Sequence, residues 1–232
     1  MVAPGMRIYR VRNERQASLV GPPGHAPIDP AVLFGRSAPL RLEIGCGHGE
    51  FISQMAASHP AEDFIGVEHD PLRVTKNAHK CLKEGASNVR VFGGDAVDLL
   101  RRLPDACMHR VYVLFPDPWP KPGQRRRRLM TRSTLLELAR ITAPGGRLIF
   151  GSDTHNYTFQ VLANLTTTPG LWRDCYKPNG FRFDIPTRFP TVFERYKKEE
   201  GCTIAYLLQE RTAAPAPPAI IPGGRHRRPP GT

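Results

Sequence analysis

Five short apolar runs, each followed by a segment of helical spacing, constrain this chain more than any other feature. The runs are Leu40–Ile44, Phe64–Val67, Val89–Phe92, Val111–Leu114 and the stretch inside Arg147–Gly151. They are continuous rather than alternating, the pattern of strands covered on both faces. Between them, Glu50–Ser58 places Phe51, Ile52 and Met55 on one helical face. Pro71 opens a further helix, where proline fits best, and Gly85 stops it. Asp95 begins another, ending near Leu103, and Thr131 to Thr142 is helical until Pro144-Gly145-Gly146. Asn156–Leu165 adds one more helix and Thr203–Leu208 a late strand. Strands alternating with helices predict an α/β fold, a mostly parallel sheet with helices on both faces.

The chain of 232 residues has room for one such domain with ragged ends. We expect a basic N-terminal arm and loop over 1–38, the α/β domain over 39–211, and a disordered Pro/Arg-rich tail over 212–232. Lysine and arginine number 33 against 21 acids, a net charge of +12. The end from Arg211 carries four arginines and no acid, so 12 − 4 = +8 remains on the body. Such a surplus favours a polyanionic partner, nucleic acid above an anionic membrane. The five cysteines (46, 81, 107, 175 and 202) are widely spaced without a C-x-x-C, which predicts neither a disulfide framework nor a metal site and suits the cytoplasm. Arg7, Arg10, Arg12 and Arg15 precede no apolar core, so no secretory signal is read there, and no stretch has the length of a membrane span.

In a sheet of this kind, ligands sit beyond the carboxyl ends of the strands. Gly45, Gly47 and Gly49 directly follow the first strand, where glycine lets the backbone approach a ligand. The spacing is G-x-G-x-G, which departs from the dinucleotide fingerprint because position 50 is Glu. Glu68 ends the second strand, suited to two ribose hydroxyls; Asp95 follows the third, suited to an adenine amino group. Glu43 sits where the cationic amino-acid moiety of a cofactor would lie. Three acids repel a pyrophosphate and fit S-adenosylmethionine. Each acid has a plainer alternative: Glu43 as a charge partner at a helix end, Asp95 as a helix cap. His48 and His69 read as rim histidines rather than ligands.

The fourth strand runs into Phe115-Pro116-Asp117-Pro118-Trp119-Pro120-Lys121, followed by Arg125 to Arg128. An acid caged by prolines, beside a flat aromatic, reads as a rigid rim around a base. Lys121 and the four arginines read as a grip on phosphate, each neutralised phosphate adding about 0.7–0.9 to the salt slope. Trp119 either stacks on a base or braces the loop.

Taken together, LEIGCGHGEF, GVEHDP, FPDPWPK with its arginine run, GGRLIFGSD and Thr191-Val192-Phe193-Glu194 resemble the bacterial tRNA (guanine-N7-)-methyltransferase family over roughly residues 40–210. FPDPWPK is the specific element. The resemblance implies a Rossmann-like class I S-adenosylmethionine-dependent fold with a seven-stranded sheet whose last strand is antiparallel. It implies methylation of guanine N7 in the tRNA variable loop. It implies cofactor contacts at Glu43, Glu68, Asp95 and Asp117, with Asp117 also catalytic. Substrate contacts would fall at Lys121, Asp153, Thr191, Val192, Phe193 and Glu194. Pro120 departs from the polar or basic residue usual there, and Arg195-Tyr196-Lys197-Lys198 is less glycine-rich than the family pattern. The expected partner is tRNA, with no metal and no membrane, and the enzyme a monomer or homodimer. Two other readings are weighed: a methyltransferase acting on an exocyclic amine of DNA or RNA, and a non-catalytic RNA-binding protein on the same fold.

Overall fold

The computed structural model describes residues 19–184 and 189–218. The four N-terminal arginines and the end of the tail, expected to be arm and disordered segment, lie outside the described residues. The chain runs α1 (Pro30–Phe34), β1 (Leu40–Ile44), α2 (Glu50–Ser58), β2 (Asp63–Glu68), α3 (Pro71–Lys83), β3 (Val89–Gly93), α4 (Ala96–Arg102) and β4 (Met108–Leu114). A 3-10 helix (Pro122–Arg127), α5 (Arg132–Ile141), β5 (Thr142–Ser152), α6 (His155–Thr166), β6 (Trp172–Asp174), β7 (Arg182–Phe183), α7 (Val192–Glu199) and β8 (Ala205–Arg211) complete it.

The sheet order is β3-β2-β1-β4-β5-β8-β6, with β7 also paired to β8. The first five strands are parallel, and β8 is antiparallel to β5. This is the Rossmann-like arrangement expected, with seven strands on the main path and the two-residue β7 as an eighth. Every residue of β1 and β2 is buried. Their side chains alternate between two cores. Leu42, Ile65, Val111 and Phe150 pack with Leu100, Leu138 and Tyr157 from α4, α5 and α6. Phe64 and Tyr112 face Ile52, Met55 and Ala78 from α2 and α3. Each large apolar side chain buried this way contributes about 1.5–3 kcal/mol.

Local chemistry sets the helix starts. Asp70 accepts from the Leu72 N–H at 2.8 Å, and Pro71 follows in the first turn. Thr131 caps α5 through the Thr134 N–H. The exposed edge of β3 is covered by residues 19–21: Val91 donates to the Leu19 carbonyl and Gly21 to the Val91 carbonyl, both at 2.8 Å. An open edge would otherwise template pairing with another chain. Among the described residues no helix is long and apolar enough to cross a membrane.

Several boundaries differ from the sequence reading: β4 begins at Met108 rather than Val111, β8 runs Ala205–Arg211 rather than Thr203–Leu208, and β5 starts early. Pro144-Gly145-Gly146 does not delay β5 to Arg147; the strand begins at Thr142, which pairs with Met108 across an irregularity before Arg110. A Cβ on Gly146 would fall 2.7 Å from Thr142 Cγ2 and 2.8 Å from the Ala143 carbonyl, so this bulge requires glycine.

Candidate active site

The parallel strands deliver their carboxyl ends to one rim. There a cleft of about 350 Å³ is lined by Ile44 and Gly45 after β1, Glu68 and His69 after β2, Gly94 and Asp95 after β3, and Leu114 to Asp117 with Trp119 after β4. Four of the sequence-predicted residues, Gly45, Glu68, Asp95 and Asp117, therefore converge.

The glycine turn is held from two sides. Gly45, Gly47 and Gly49 all have positive φ. Glu68 Oε2 accepts from the Gly47 N–H at 3.0 Å and Oε1 from the Asp70 N–H at 2.9 Å. From α3, the fully buried Asn77 donates to the carbonyls of Cys46 and Gly47 at 3.3 and 3.4 Å. A Cβ on Gly49 would lie 2.5 Å from Asn77 Oδ1, so only glycine permits this clamp. Asn77 was not singled out in the sequence. Its one signal is a polar residue on the apolar side of an amphipathic helix.

Glu43 does not line the cleft. It is 5% exposed, against the backbone of Ile52 in α2, and its Oε2 has no hydrogen-bond partner among the described residues. Burial, then the nearby Glu50 and Glu68, pushes its carboxyl up to about 8. A cationic amino group beside the glycine turn would lower that value and give the buried carboxyl a partner. Gly45 is exposed, and a Cβ there would meet nothing within 4 Å, so the turn is open to a ligand. This donor and acceptor set fits S-adenosylmethionine. Asp95 caps α4, accepting from the Val97 N–H at 2.8 Å, and also lines the cleft.

On the loop after β4, Phe115 and Trp119 have φ of 51° and 40°, a region that costs non-glycine residues of order 1–3 kcal/mol each. The Phe115 N–H donates to the Gly151 carbonyl at 2.8 Å, tying the loop to β5. The Arg127 guanidinium lies 4.2 Å from the Trp119 ring centroid, so Trp119 is braced while still lining the cleft.

The arginine run is not one surface. Arg125, Arg126 and Arg127 are exposed, but Arg128 is buried. Arg128 donates to the Pro118 carbonyl at 2.7 Å, to Gln160 Oε1 at 2.6 Å and to Asn156 Oδ1 at 2.7 Å, with its guanidinium over the Tyr157 ring. The expectation that it grips phosphate is corrected: it staples the Asp117 loop to α6. Replacing it with Met would leave three acceptors unpaired. Arg128→Met should cost about 2–3 kcal/mol of stability and leave the salt slope of RNA binding unchanged, whereas Arg126→Ala should lower that slope. Denaturant unfolding and binding over a salt series check both; an unshifted Arg128→Met midpoint would contradict the staple.

Other predicted substrate residues gather on α7 and its surroundings. Thr191 caps α7, accepting from the Glu194 N–H at 2.9 Å. Val192, next to it, opens the helix and is partly buried. Phe193 packs on Phe115 with ring centroids 5.1 Å apart, which brings this segment against the Asp117 loop. Asp153 pairs with Lys197 at 3.8 Å. Glu194 is 1% exposed and paired with Lys198 at 2.8 Å, facing inward rather than into the cleft. Lys121 is exposed at the start of the 3-10 helix, outside the cleft lining. Among the described residues no His/Cys/Asp/Glu cluster could hold a metal ion, and all five cysteines are free thiols.

A family model described as "Putative methyltransferase" matches residues 37–202. A tRNA (guanine-N(7)-)-methyltransferase of Methylococcus capsulatus is 39% identical over 189 residues, 81% of each chain. That of Acidithiobacillus ferrooxidans is 38% identical over 178 residues, 77% of this chain and 78% of the relative. The crystal structure of the 16S rRNA methyltransferase KamB superposes with a TM-score of 0.59 over 84% of this chain and 98% of that one, at 15% identity, a likeness of fold.

Proposed function

The chain belongs to the tRNA (guanine-N(7)-)-methyltransferase family, and from that premise we propose that it methylates N7 of a guanine in the variable loop of tRNA. Its methyl donor is S-adenosylmethionine, which when bound supplies an electrophilic methyl on a sulfonium. Glu68 would receive the ribose hydroxyls, Asp95 the adenine edge, and Gly45 and Gly47 the close backbone approach. Glu43 would receive the amino group. Residues 39–211 form the catalytic unit, working in the cytoplasm as a monomer or homodimer.

The observation that carries this reading is the convergence of Asp117 with Glu68 and Asp95 on one cleft. Guanine N7 bears a lone pair in the neutral base, so no proton must leave before attack. The enzyme's task is alignment, which contributes up to about 7–11 kcal/mol in intramolecular models. General base catalysis would add only about a hundred- to ten-thousandfold, and none is required. Asp117 holds the N1/N2 edge of the base and offsets the positive charge that methylation creates. The base must be unstacked to enter.

Nucleoside mass spectrometry after incubating purified protein with tRNA tests the proposal. It predicts 7-methylguanosine only when S-adenosylmethionine is present. An N-methylated exocyclic amine in its place would favour the amino-methyltransferase reading, and no methylated nucleoside would leave a binding protein.

The buried Glu43 adds a pH signature. Its carboxyl is raised from 4.5 to about 8, so its contribution to stability is full below the lower value and is lost as pH rises through the upper one. Glu43→Gln stays neutral throughout, so between about pH 5 and 8 its melting temperature should fall less than that of the wild type. Parallel curves would contradict the assignment.

A further inference from the structure

The catalytic rim continues outward as a row of rings that the methyl-transfer reading does not use. His155 and Phe183 stand 5.4 Å apart, Phe183 and Phe181 5.0 Å, and Phe181 and Phe159 5.9 Å, each pair tilted or edge-to-face. Phe159 is 54% exposed and Phe183 49% exposed, while Phe181 is partly buried against the core and anchors the row. The row stands at the same end of the sheet as Asp117. Phe183 pairs with Ala205, and Ala205 pairs with Ser152, the residue before Asp153. Two strand spacings, about 10 Å, therefore separate Phe183 from the end of β5. Beside the row the Arg182 guanidinium lies 4.9 Å over the Tyr176 ring. Two nearby acids are held by backbone donors: Asp184 accepts from the Ile204 N–H and Asp174 from the Tyr176 N–H.

We propose that Phe159, Phe183 and His155 form a stacking platform for unpaired tRNA bases flanking the target guanine. This inference rests on the reading of the protein as a tRNA methyltransferase. A flipped guanine leaves its neighbours unstacked, and single-stranded bases are received by aromatic faces flanked by cations. The net charge of +12 and the Arg182 guanidinium beside the row favour a polyanion here over an acidic or apolar protein surface.

The test measures tRNA dissociation constants by fluorescence anisotropy, independently of methylation, for the wild type, Phe183→Ala, the double variant Phe159→Ala/Phe183→Ala, and Phe183→Trp. The double variant should bind tRNA at least about tenfold more weakly with an unchanged salt slope, unchanged S-adenosylmethionine affinity and an unchanged melting curve. Phe183→Trp should restore binding. Unchanged tRNA affinity in both alanine variants would overturn the platform even if the wild type makes 7-methylguanosine. Absence of that product in the wild type would instead refute the activity. A lowered salt slope would assign the row to phosphate contact. A wild-type dimer that the double variant breaks into monomers would assign it to a second copy of this chain. Either of those results also overturns the proposal.

Discussion

Asp117→Asn should lower kcat/KM for tRNA methylation by about a hundred- to a thousandfold, the scale seen when one preorganised electrostatic partner of a transition state is removed. The carboxylate is exposed, on a loop fixed by other groups: prolines on both sides, the Phe115–Gly151 hydrogen bond, and Arg128 on the Pro118 carbonyl. Its loss should therefore move the folding free energy by no more than about 0.5 kcal/mol. Asparagine keeps the shape of the side chain but loses its charge and turns one acceptor into a donor against the guanine edge. Single-turnover kinetics separate this from a defect in product release. Wild-type turnover in Asp117→Asn would remove the residue from the mechanism.

The second large effect belongs to Glu68. Its two oxygens accept from Gly47 and Asp70, so the carboxylate holds the glycine turn as well as facing the cleft. Glu68→Gln would set an amide N–H₂ against one of two backbone N–H groups. Hydrogen bonds to charged groups contribute about 1.5–3 kcal/mol, so affinity for S-adenosylhomocysteine should fall about ten- to a hundredfold. Calorimetry reads the loss directly. Unchanged affinity would mean that Asn77 alone keeps the turn in place and that Glu68 meets no ligand.

The residues that do their work locally were legible in the sequence. Pro71 behind Asp70, the glycines after β1, and acids at successive strand ends announce themselves, because helix caps, positive φ and strand ends are short-range constraints. What escaped depends on the fold. Arg125 to Arg128 look alike as letters, yet a 3-10 turn leaves the first three exposed and buries Arg128 under the Asp117 loop. Asn77 meets the glycine turn only because α3 packs beside α2. The strands β6 and β7, three and two residues long, are too short to carry a pattern. They form because β8 offers them an edge. Phe159, Phe181 and Phe183 become neighbours only when β7 pairs with β8. Pro144-Gly145-Gly146 reads as a stop, and the irregular pairing at Met108 turns it into part of β5.

The most direct test of Asp117 as the reader of the guanine edge is to compare tRNA carrying guanosine or inosine at the target position. Inosine keeps N7 and lacks the exocyclic N2 amine. The wild type should lose about tenfold or more in kcat/KM on inosine, and Asp117→Ala, which has no acceptor for that amine, should show almost no further loss. Equal rates on the two bases in the wild type, or the same penalty in the variant, would contradict it.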